Sequence, residues 1–414
     1  MMVAGGTAGA QVIMMAFAPL ITRLYGPESY GVQGVFLSVL NILATVAALG
    51  YPTAVVLPSG DADALRIAKI TAWCGAIISL LFALLLVSFS GDLFSLVKAE
   101  VLSDFVLLLP IATFISVLSA IQAQWLIRKR AFALTARFAV FTSLMVNGGK
   151  AAVGYISPTA MALIVVNVIG SGLGLLLTYF GCRKGAAFDH SEAGPSAASS
   201  VNELLKRYSD FPLYRMPQNL INVLSQSMPL LLLSIIFGAG PAGQYSIAFS
   251  VLGVPSALIG GAVLSVFYPR VNEALRAGEN AQRLIVRSTL GMAISGLVPF
   301  GSVVLLGPYL FELVFGSDWR VAGLFAQWLA VLVFFQYINR PAIAAIPVLG
   351  IQKQFLFYEI ASAAAKAIAL IVGFYLYRNP LIAIAFFAVA GALAYIWLIV
   401  WVVRSSGLNA MRRD

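Results

Sequence analysis

A row of polar side chains crosses the otherwise apolar stretch YRMPQNLINVLSQ, at residues 214–226. Steps of three and four residues place its members on one face of an α-helix. Guanidinium groups and carboxamides are strong hydrogen-bonding groups, and they need partners when they leave water. The row therefore predicts a surface that contacts either other helices or a polar cavity. Its members are Arg215, Gln218, Asn219, Asn222 and Gln226.

Three further ionisable side chains fall inside apolar segments of the C-terminal half. Arg340 follows Gln336 by four residues and stands directly before Pro341. A proline inside a helix frees backbone carbonyl groups that a cavity or a neighbour must satisfy, which favours an interior position for Arg340. Glu359 and Lys366 share a helical face, so they predict an internal ion pair, a contact with a ligand, or a site for a coupled ion.

These residues must be positioned by a membrane domain. The chain has 414 residues, of which 61% are hydrophobic and 10% charged, and its mean hydropathy is +0.94. Such a chain is too apolar to present a solvated surface as a soluble globule. The sequence predicts an all-α polytopic membrane protein, because each crossing needs about 20 apolar residues and twelve such segments occur. They lie at 3–22, 31–57, 65–90, 102–127, 133–155, 159–180, 211–236, 243–268, 286–308, 321–349, 357–377 and 381–403.

The first of these segments is predicted to be a spanning helix and not a cleaved signal peptide, because no basic residue precedes its apolar run. The distribution of basic residues predicts the orientation of the chain. Of the 26 lysines and arginines, 18 fall in or beside the loops after even-numbered segments and in the C-terminal tail. Short loops rich in Lys and Arg stay cytoplasmic, so both termini are predicted to be cytoplasmic.

The composition also excludes several classes of function. The net charge of +10 comes from these loops and from cations inside apolar segments, without the basic stripe and stacking aromatics of a nucleic-acid-binding domain. Cys74, Cys182 and the single histidine, His190, show neither a disulfide framework nor the spacing of a zinc site. No nucleotide-binding motif is present either, so the sequence predicts no cofactor and no metal.

In this setting the polar row at 215–226 has two interpretations. The row would rise roughly 16 Å along a helix, at 1.5 Å per residue. A charge at the centre of the bilayer costs about 2.5–3.5 kcal/mol on insertion scales, so the row must face protein or water. Asn and Gln also join helices to each other through hydrogen bonds. An arginine with four amides exceeds what packing requires, which favours the wall of a cavity over a packing contact.

The chain divides into two similar halves. The longest polar segment, 181–210, is predicted to be a cytoplasmic linker between an N-terminal lobe at 1–180 and a C-terminal lobe at 211–414. Prolines recur at offsets near 210 residues. With six helices per half, the two lobes should be pseudo-symmetric about an axis along the membrane normal and enclose a central cleft. The corresponding prolines are Pro19 and Pro229, Pro27 and Pro241, and Pro58 and Pro269.

Four stretches resemble the polysaccharide transporter family, the Wzx-type O-antigen flippases. They are ITRLYGPESYG at 21–31, KRYSDFPLYRMPQNLINVLSQSMPLLLLS at 206–234, FGSDWRVAG at 315–323 and VLGIQKQ at 348–354. The resemblance covers nearly the whole chain, and the family's superfamily also holds the multidrug and toxin extruders and the lipid II flippases.

The resemblance implies a function for the chain. It implies transport of an undecaprenyl-diphosphate-linked oligosaccharide, an O-antigen or exopolysaccharide repeat unit, from the cytoplasmic to the periplasmic leaflet of the bacterial inner membrane. Transport would proceed by alternating access without ATP hydrolysis, with a proton, Na⁺ or the membrane potential as driving force and a polysaccharide polymerase as a partner. On this interpretation Arg215 and Arg340 contact the diphosphate, the four amides of the row line the path of the sugar, and Gln336 is a further substrate-binding residue.

Two other classes of function compete with this interpretation. A multidrug-extruder-like antiporter would share the architecture, but organic cations call for buried carboxylates, and only Glu359 is a strong candidate. A membrane enzyme that acts at the outer face would need a catalytic site on substantial loops. The loops after odd-numbered segments are short and contain no histidine, so an enzyme is not predicted.

Overall fold

A computed structural model of the chain describes residues 2–96, 100–184, 200–276 and 281–411. Fourteen α-helices account for most of these residues. They are α1 (Met2–Leu24), α2 (Pro27–Ala48), α3 (Asp61–Leu96), α4 (Leu108–Arg128), α5 (Phe132–Gly154), α6 (Ala160–Lys184), α7 (Val201–Arg207), α8 (Met216–Phe237), α9 (Ala239–Arg276), α10 (Ala281–Phe315), α11 (Arg320–Ile338), α12 (Arg340–Leu349), α13 (Gln352–Tyr377) and α14 (Pro380–Met411).

A helix lies over each of the twelve predicted segments, and the all-α prediction is confirmed for the described residues. Within those ranges, nine helical spans are long and apolar enough to cross a membrane, and the part of α1 at Gly9–Leu24 is a shorter apolar helix. The chain is therefore a multi-pass membrane protein. That all twelve helices cross the bilayer, in two six-helix lobes around a cleft, stays a prediction.

One predicted boundary was wrong, and one predicted segment is interrupted, for local backbone reasons. The second segment was predicted to continue to residue 57, but α2 ends at Ala48. Gly50 follows with φ +74°, a left-handed conformation that glycine adopts without strain, and residues Tyr51–Val56 form a 3₁₀ helix. The tenth segment is divided at Asn339, two residues before Pro341, because proline cannot donate a hydrogen bond to the carbonyl of Tyr337.

The predicted linker at 181–210 also contains helix. Helix α6 continues to Lys184, and α7 begins after Ser200. Ser200 caps α7 through a reciprocal pair of hydrogen bonds: its hydroxyl accepts from the Glu203 N–H, and the Glu203 carboxylate accepts from the Ser200 N–H. Residues 185–199, with His190, lie outside the described residues.

The structure groups into two compact units, Met1–Ala242 and Gly243–Asp414. In the first unit, α1 packs along α5, and α2 packs against α3, α4, α6 and α8. Small residues allow the close approaches: a Cβ added to Gly6 would lie 2.3 Å from the Ala136 Cα, and one added to Gly31 would lie 1.8 Å from the Ala239 carbonyl oxygen. Helix α8 thus belongs to the first unit. The predicted division into lobes at 1–180 and 211–414 stays a prediction.

The second unit is built on a close pair of helices, α10 and α11. A Cβ added to Gly323 would lie 2.5 Å from the Gly307 carbonyl oxygen and 2.5 Å from the Pro308 Cα, so the two backbones touch. Helix α14 packs against α10, α11, α12 and α13. Gly373 of α13 and Gly391 of α14 both occupy tight positions, which brings α13 and α11 close to α14.

Candidate functional site

Four members of the polar row lie on α8, and the fifth, Arg215, is the last residue of the short π-helical turn at Phe211–Arg215 that precedes α8. Pro212 lies within this turn and Pro217 lies two residues after it, and neither can donate a backbone hydrogen bond. A π turn re-aims side chains and is frequent at functional sites. The turn carries Arg215 on the exposed surface of the helix start, where its Nη1 donates to the Gln218 Oε1 at 3.4 Å.

A cavity of about 430 Å³ lies inside the first unit, between α2, α4 and α8. The segment at 50–53 closes one side of it. Every residue of its lining belongs to the described part of the chain, and none is charged or aromatic. The polar residues among them are Asn41, Thr45, Thr53, Ser116, Gln124, Asn219, Gln226 and Ser227.

The structure divides the predicted row between the cavity and the surface beside it. Asn219 and Gln226 line the cavity, together with Val223 and Ser227 from the same face of α8. The other three members of the row, Arg215, Gln218 and Asn222, lie outside the lining, and like Gln226 they are exposed. Gln226 links the two groups, because its Nε2 donates to the Asn222 Oδ1 at 2.5 Å.

Arg215 adjoins the cavity through Gly50. A Cβ added to Gly50, which lines the cavity, would lie 3.5 Å from the Arg215 Cβ and 3.1 Å from the Phe211 carbonyl oxygen. A larger residue at position 50 would therefore meet the π turn, besides being strained at φ +74°. The site combines a cation at the edge of the cavity with neutral hydrogen-bonding groups inside it.

Sequence reasoning missed the side of the cavity that α2 and α4 form. Asn41 lies on α2 and Gln124 on α4. Helices α2 and α4 each carry one further amide, Gln33 and Gln122, but neither helix shows the run of amides that distinguishes the row at 215–226. Only the packing of α2 against α4 and α8 brings Asn41 and Gln124 to the same cavity. An amide inside a predicted span was the one available signal, and it does not separate a cavity wall from a helix contact.

In the second unit, Arg340 is the first residue of α12 and is partly buried. Its Nε has no hydrogen-bond partner among the described residues. The neighbouring Asn339 is fully buried, and both polar atoms of its side chain are likewise unpaired in the described ranges. Gln336, one turn earlier on α11, is partly buried as well.

Glu359 and Lys366 both lie on α13, but no ion pair joins them in the described part of the chain. The Lys366 Nζ lies 5.9 Å from the centre of the Tyr395 ring on α14, a cation–π contact. Tyr395 is also close enough to interact electrostatically with Glu359 and Arg340. The three predicted ionisable groups therefore all lie near one tyrosine. Their role in binding or ion coupling stays a prediction.

Comparison with known families gives one match that covers most of the chain. Residues 20–324 match the family model described as polysaccharide biosynthesis protein.

Two curated proteins are similar to the chain in sequence. The succinoglycan biosynthesis transport protein ExoT of Rhizobium meliloti (strain 1021) is 24% identical over 77% of this chain and 61% of its own length. The lipopolysaccharide biosynthesis protein WzxC of Escherichia coli (strain K12) is 25% identical over 44% of this chain and 36% of its own length. The chain thus spans about three-fifths or less of the curated relatives that it matches.

Two solved structures share the fold. One is an inward-facing multidrug resistance MATE family transporter of the MOP superfamily, with a TM-score of 0.72 and 14% identity, over 99% of this chain and 96% of that chain. The other is the lipid II flippase MurJ in an inward closed conformation, with a TM-score of 0.72 and 12% identity, over 98% of this chain and 90% of that chain. At these identities the likeness concerns the fold alone.

Proposed function

We propose, from the premise that this chain belongs to the polysaccharide biosynthesis protein family, that it is a flippase for a lipid-linked glycan. The substrate would be an undecaprenyl-diphosphate-linked oligosaccharide, moved from the cytoplasmic to the periplasmic leaflet of the inner membrane. The names of the relatives, a succinoglycan transport protein and a lipopolysaccharide biosynthesis protein, support this proposal. A polysaccharide polymerase that uses the flipped product is the predicted partner.

The observation that carries the proposal is the neutral, amide-lined cavity in the first unit. Asn219 and Gln226 reach it from α8, and Arg215 stands at its edge beside Gly50. A glycan attached to a diphosphate needs neutral hydrogen-bonding groups next to a cation, and this site offers both. The guanidinium of Arg215 receives the diphosphate through charge-assisted hydrogen bonds. The amides accept and donate hydrogen bonds to the sugar.

Arg340 acts on the diphosphate at a later stage of the same path. Its unpaired Nε and the unpaired side chain of Asn339 are the kind of groups that a ligand must satisfy. Gln336 would contribute a further hydrogen bond. An internal cation of this sort marks a substrate pathway more often than a packing contact.

The observation in favour of the multidrug-extruder alternative is the likeness to the MATE transporter, whose TM-score of 0.72 equals that of the flippase MurJ. Organic cations bind carboxylates and aromatic faces. The cavity of the first unit has neither in its lining. The neutral lining favours the glycan over the cation, so we retain the flippase as the proposed function.

The energy for transport would come from the membrane and not from a nucleotide. A diphosphate that carries about two negative charges gains roughly 2.3 kcal/mol per charge for each 100 mV of inside-negative potential when it moves outward. Glu359 is the predicted site of any coupled proton or Na⁺.

Reconstitution of the full chain into sealed liposomes tests this function. The probe is a fluorescent polyprenyl-diphosphate-linked saccharide, and its movement between leaflets is followed by quenching from outside. We expect transport without ATP, faster when a potassium diffusion potential favours movement of the negative headgroup. Transport that requires ATP and ignores the potential would contradict the proposal, as would export of ethidium with no movement of the lipid-linked probe.

A further inference from the structure

We infer that the cavity between α2, α4 and α8 is a glycan-recognition subsite, in which Asn41 and Gln124 read the hydroxyl groups of the sugar. This inference rests on the proposed function and goes beyond it, because it assigns the selection of the glycan to residues outside the row on α8. Asn41 of α2 and Gln124 of α4 line the cavity opposite that row.

Three of the four amides that line the cavity are unpaired, unlike an amide that joins helices. The side chains of Asn41, Gln124 and Asn219 make no hydrogen bond within the described part of the chain, although each offers donors and an acceptor. Gln122, two residues before Gln124, shows the contrasting case: its Nε2 donates to the Leu175 carbonyl oxygen of α6 at 3.1 Å. One amide of α4 therefore holds two helices together, and the other faces a cavity.

The hydroxyl groups in the lining add acceptors to these donors. Thr45 donates to the Asn41 carbonyl at 2.7 Å, Thr53 to the Gly50 carbonyl at 2.9 Å and Ser116 to the Ala112 carbonyl at 2.8 Å. Each hydroxyl donates its only proton to a nearby backbone carbonyl, so its oxygen is left to accept a hydrogen bond. A ligand that fits must donate and accept at once.

This pattern selects one ligand chemistry. A phosphate only accepts hydrogen bonds, and it would leave the hydroxyl oxygens of the lining without donors. An organic cation would meet no carboxylate and no aromatic face. Sugar hydroxyls both donate and accept, so they satisfy the amides and the hydroxyl oxygens together.

Size and position agree with a sugar that is attached to a diphosphate. The volume of about 430 Å³ lies within the range of small-molecule sites, roughly 300–1,000 Å³. It admits part of a glycan and not a whole lipid-linked repeat unit. Arg215 adjoins the cavity at Gly50, so a diphosphate held there would place its first sugars at the amides.

Binding measurements on the purified full-length protein in detergent test the inference. The probes are farnesyl diphosphate and farnesyl diphosphate that carries glucose, galactose or N-acetylglucosamine. For each protein variant, the ratio between the Kd of the bare probe and that of the best sugar-bearing probe is measured. We expect the sugar to tighten binding about tenfold in the wild type. The double variant Asn41→Ala/Gln124→Ala should lose most of this advantage while the Kd for farnesyl diphosphate stays unchanged.

The matched control is Gln122→Ala, which removes an amide from the same helix outside the cavity. It should lower thermal stability and keep the sugar advantage. The inference is overturned if no sugar tightens binding in the wild type, or if the double variant keeps the advantage or loses affinity for both probes alike. Failure of the proposed function would look different: the wild-type protein would then bind none of the diphosphate probes.

Discussion

At the scale of single residues, charge and neutral polarity are separated in space. Arg215 sits in a π turn at the edge of the cavity, and the lining that α2, α4 and α8 form carries no charge. A buried guanidinium inside such a cavity would cost several kcal/mol of desolvation, whereas one at its edge keeps access to water. Under the proposed function, this arrangement would let a single cation attract the diphosphate without binding the sugar.

Substitutions at Arg215 should separate charge from shape. Lysine keeps the positive charge but loses the bidentate geometry, so Arg215→Lys should retain part of the transport rate, whereas Arg215→Ala should reduce it at least tenfold. The rates are measured in liposomes that contain equal amounts of inserted protein. Equal transport rates for wild type and Arg215→Ala would show that Arg215 does not bind the substrate.

The sequence predicted the site only where one helix carries several polar residues. The row on α8 was visible because its spacing matches a helix face, and the structure places Asn219 and Gln226 in a cavity. The sequence could not show that Arg215 and Gln218 would form a hydrogen bond outside the cavity lining, because the exposure of a side chain depends on the neighbouring helices. The sequence did not indicate Asn41 and Gln124, since neither belongs to a row of amides and packing between distant helices brings them to the cavity.

At the scale of elements, close helix contacts rest on glycines. The contact of α10 with α11 depends on Gly307 and Gly323, which leave no room for a Cβ. Membrane helices gain stability from this close packing, because lipid offers no hydrophobic driving force for their association. The positions of these contacts could not be predicted from glycine content, since α10 also has Gly291 and Gly301, where an added Cβ would have no neighbour within 4 Å.

Two alanine substitutions test this contact. In Gly323→Ala the new methyl group would overlap the Gly307 carbonyl, and overpacking of this kind typically costs about 1–3 kcal/mol. Gly301→Ala on α10 is the matched control, because nothing lies within 4 Å of its added Cβ. Thermal unfolding in detergent should show a lower midpoint for Gly323→Ala only. Equal midpoints would mean that the backbones of α10 and α11 are not in contact.

The helices themselves were largely predictable, and their interruptions were not. Apolar runs of about 20 residues identify a helix in lipid, because the backbone must satisfy its own hydrogen bonds there. The end of α2 depends on the left-handed backbone of Gly50, and the break at Asn339 depends on the missing N–H of Pro341, both within apolar stretches. Hydropathy does not register these changes. Both interruptions lie beside candidate site residues, Arg340 in one case and Arg215 in the other.

At the scale of the whole molecule, the chain is a multi-pass membrane protein of the polysaccharide biosynthesis protein family. Its fold is shared with a MATE transporter and with the flippase MurJ, so fold alone does not choose between drug and glycan. The choice depends on the site, where neutral amides and a cation at their edge favour a glycan diphosphate.

Complementation in living cells tests the central claim most directly. The host is a bacterium that lacks its own copy of this gene and no longer displays its surface polysaccharide. Each variant is expressed, membrane protein is quantified, and surface polysaccharide is measured. Arg320→Glu is the control, because Arg320 is exposed and lies in an exposed ion pair with Glu312, at 3.5 Å between Nη1 and Oε2. We predict that wild type and Arg320→Glu restore display, while Arg215→Glu/Arg340→Glu reaches the same membrane level and restores none; normal display with this double variant would contradict the account.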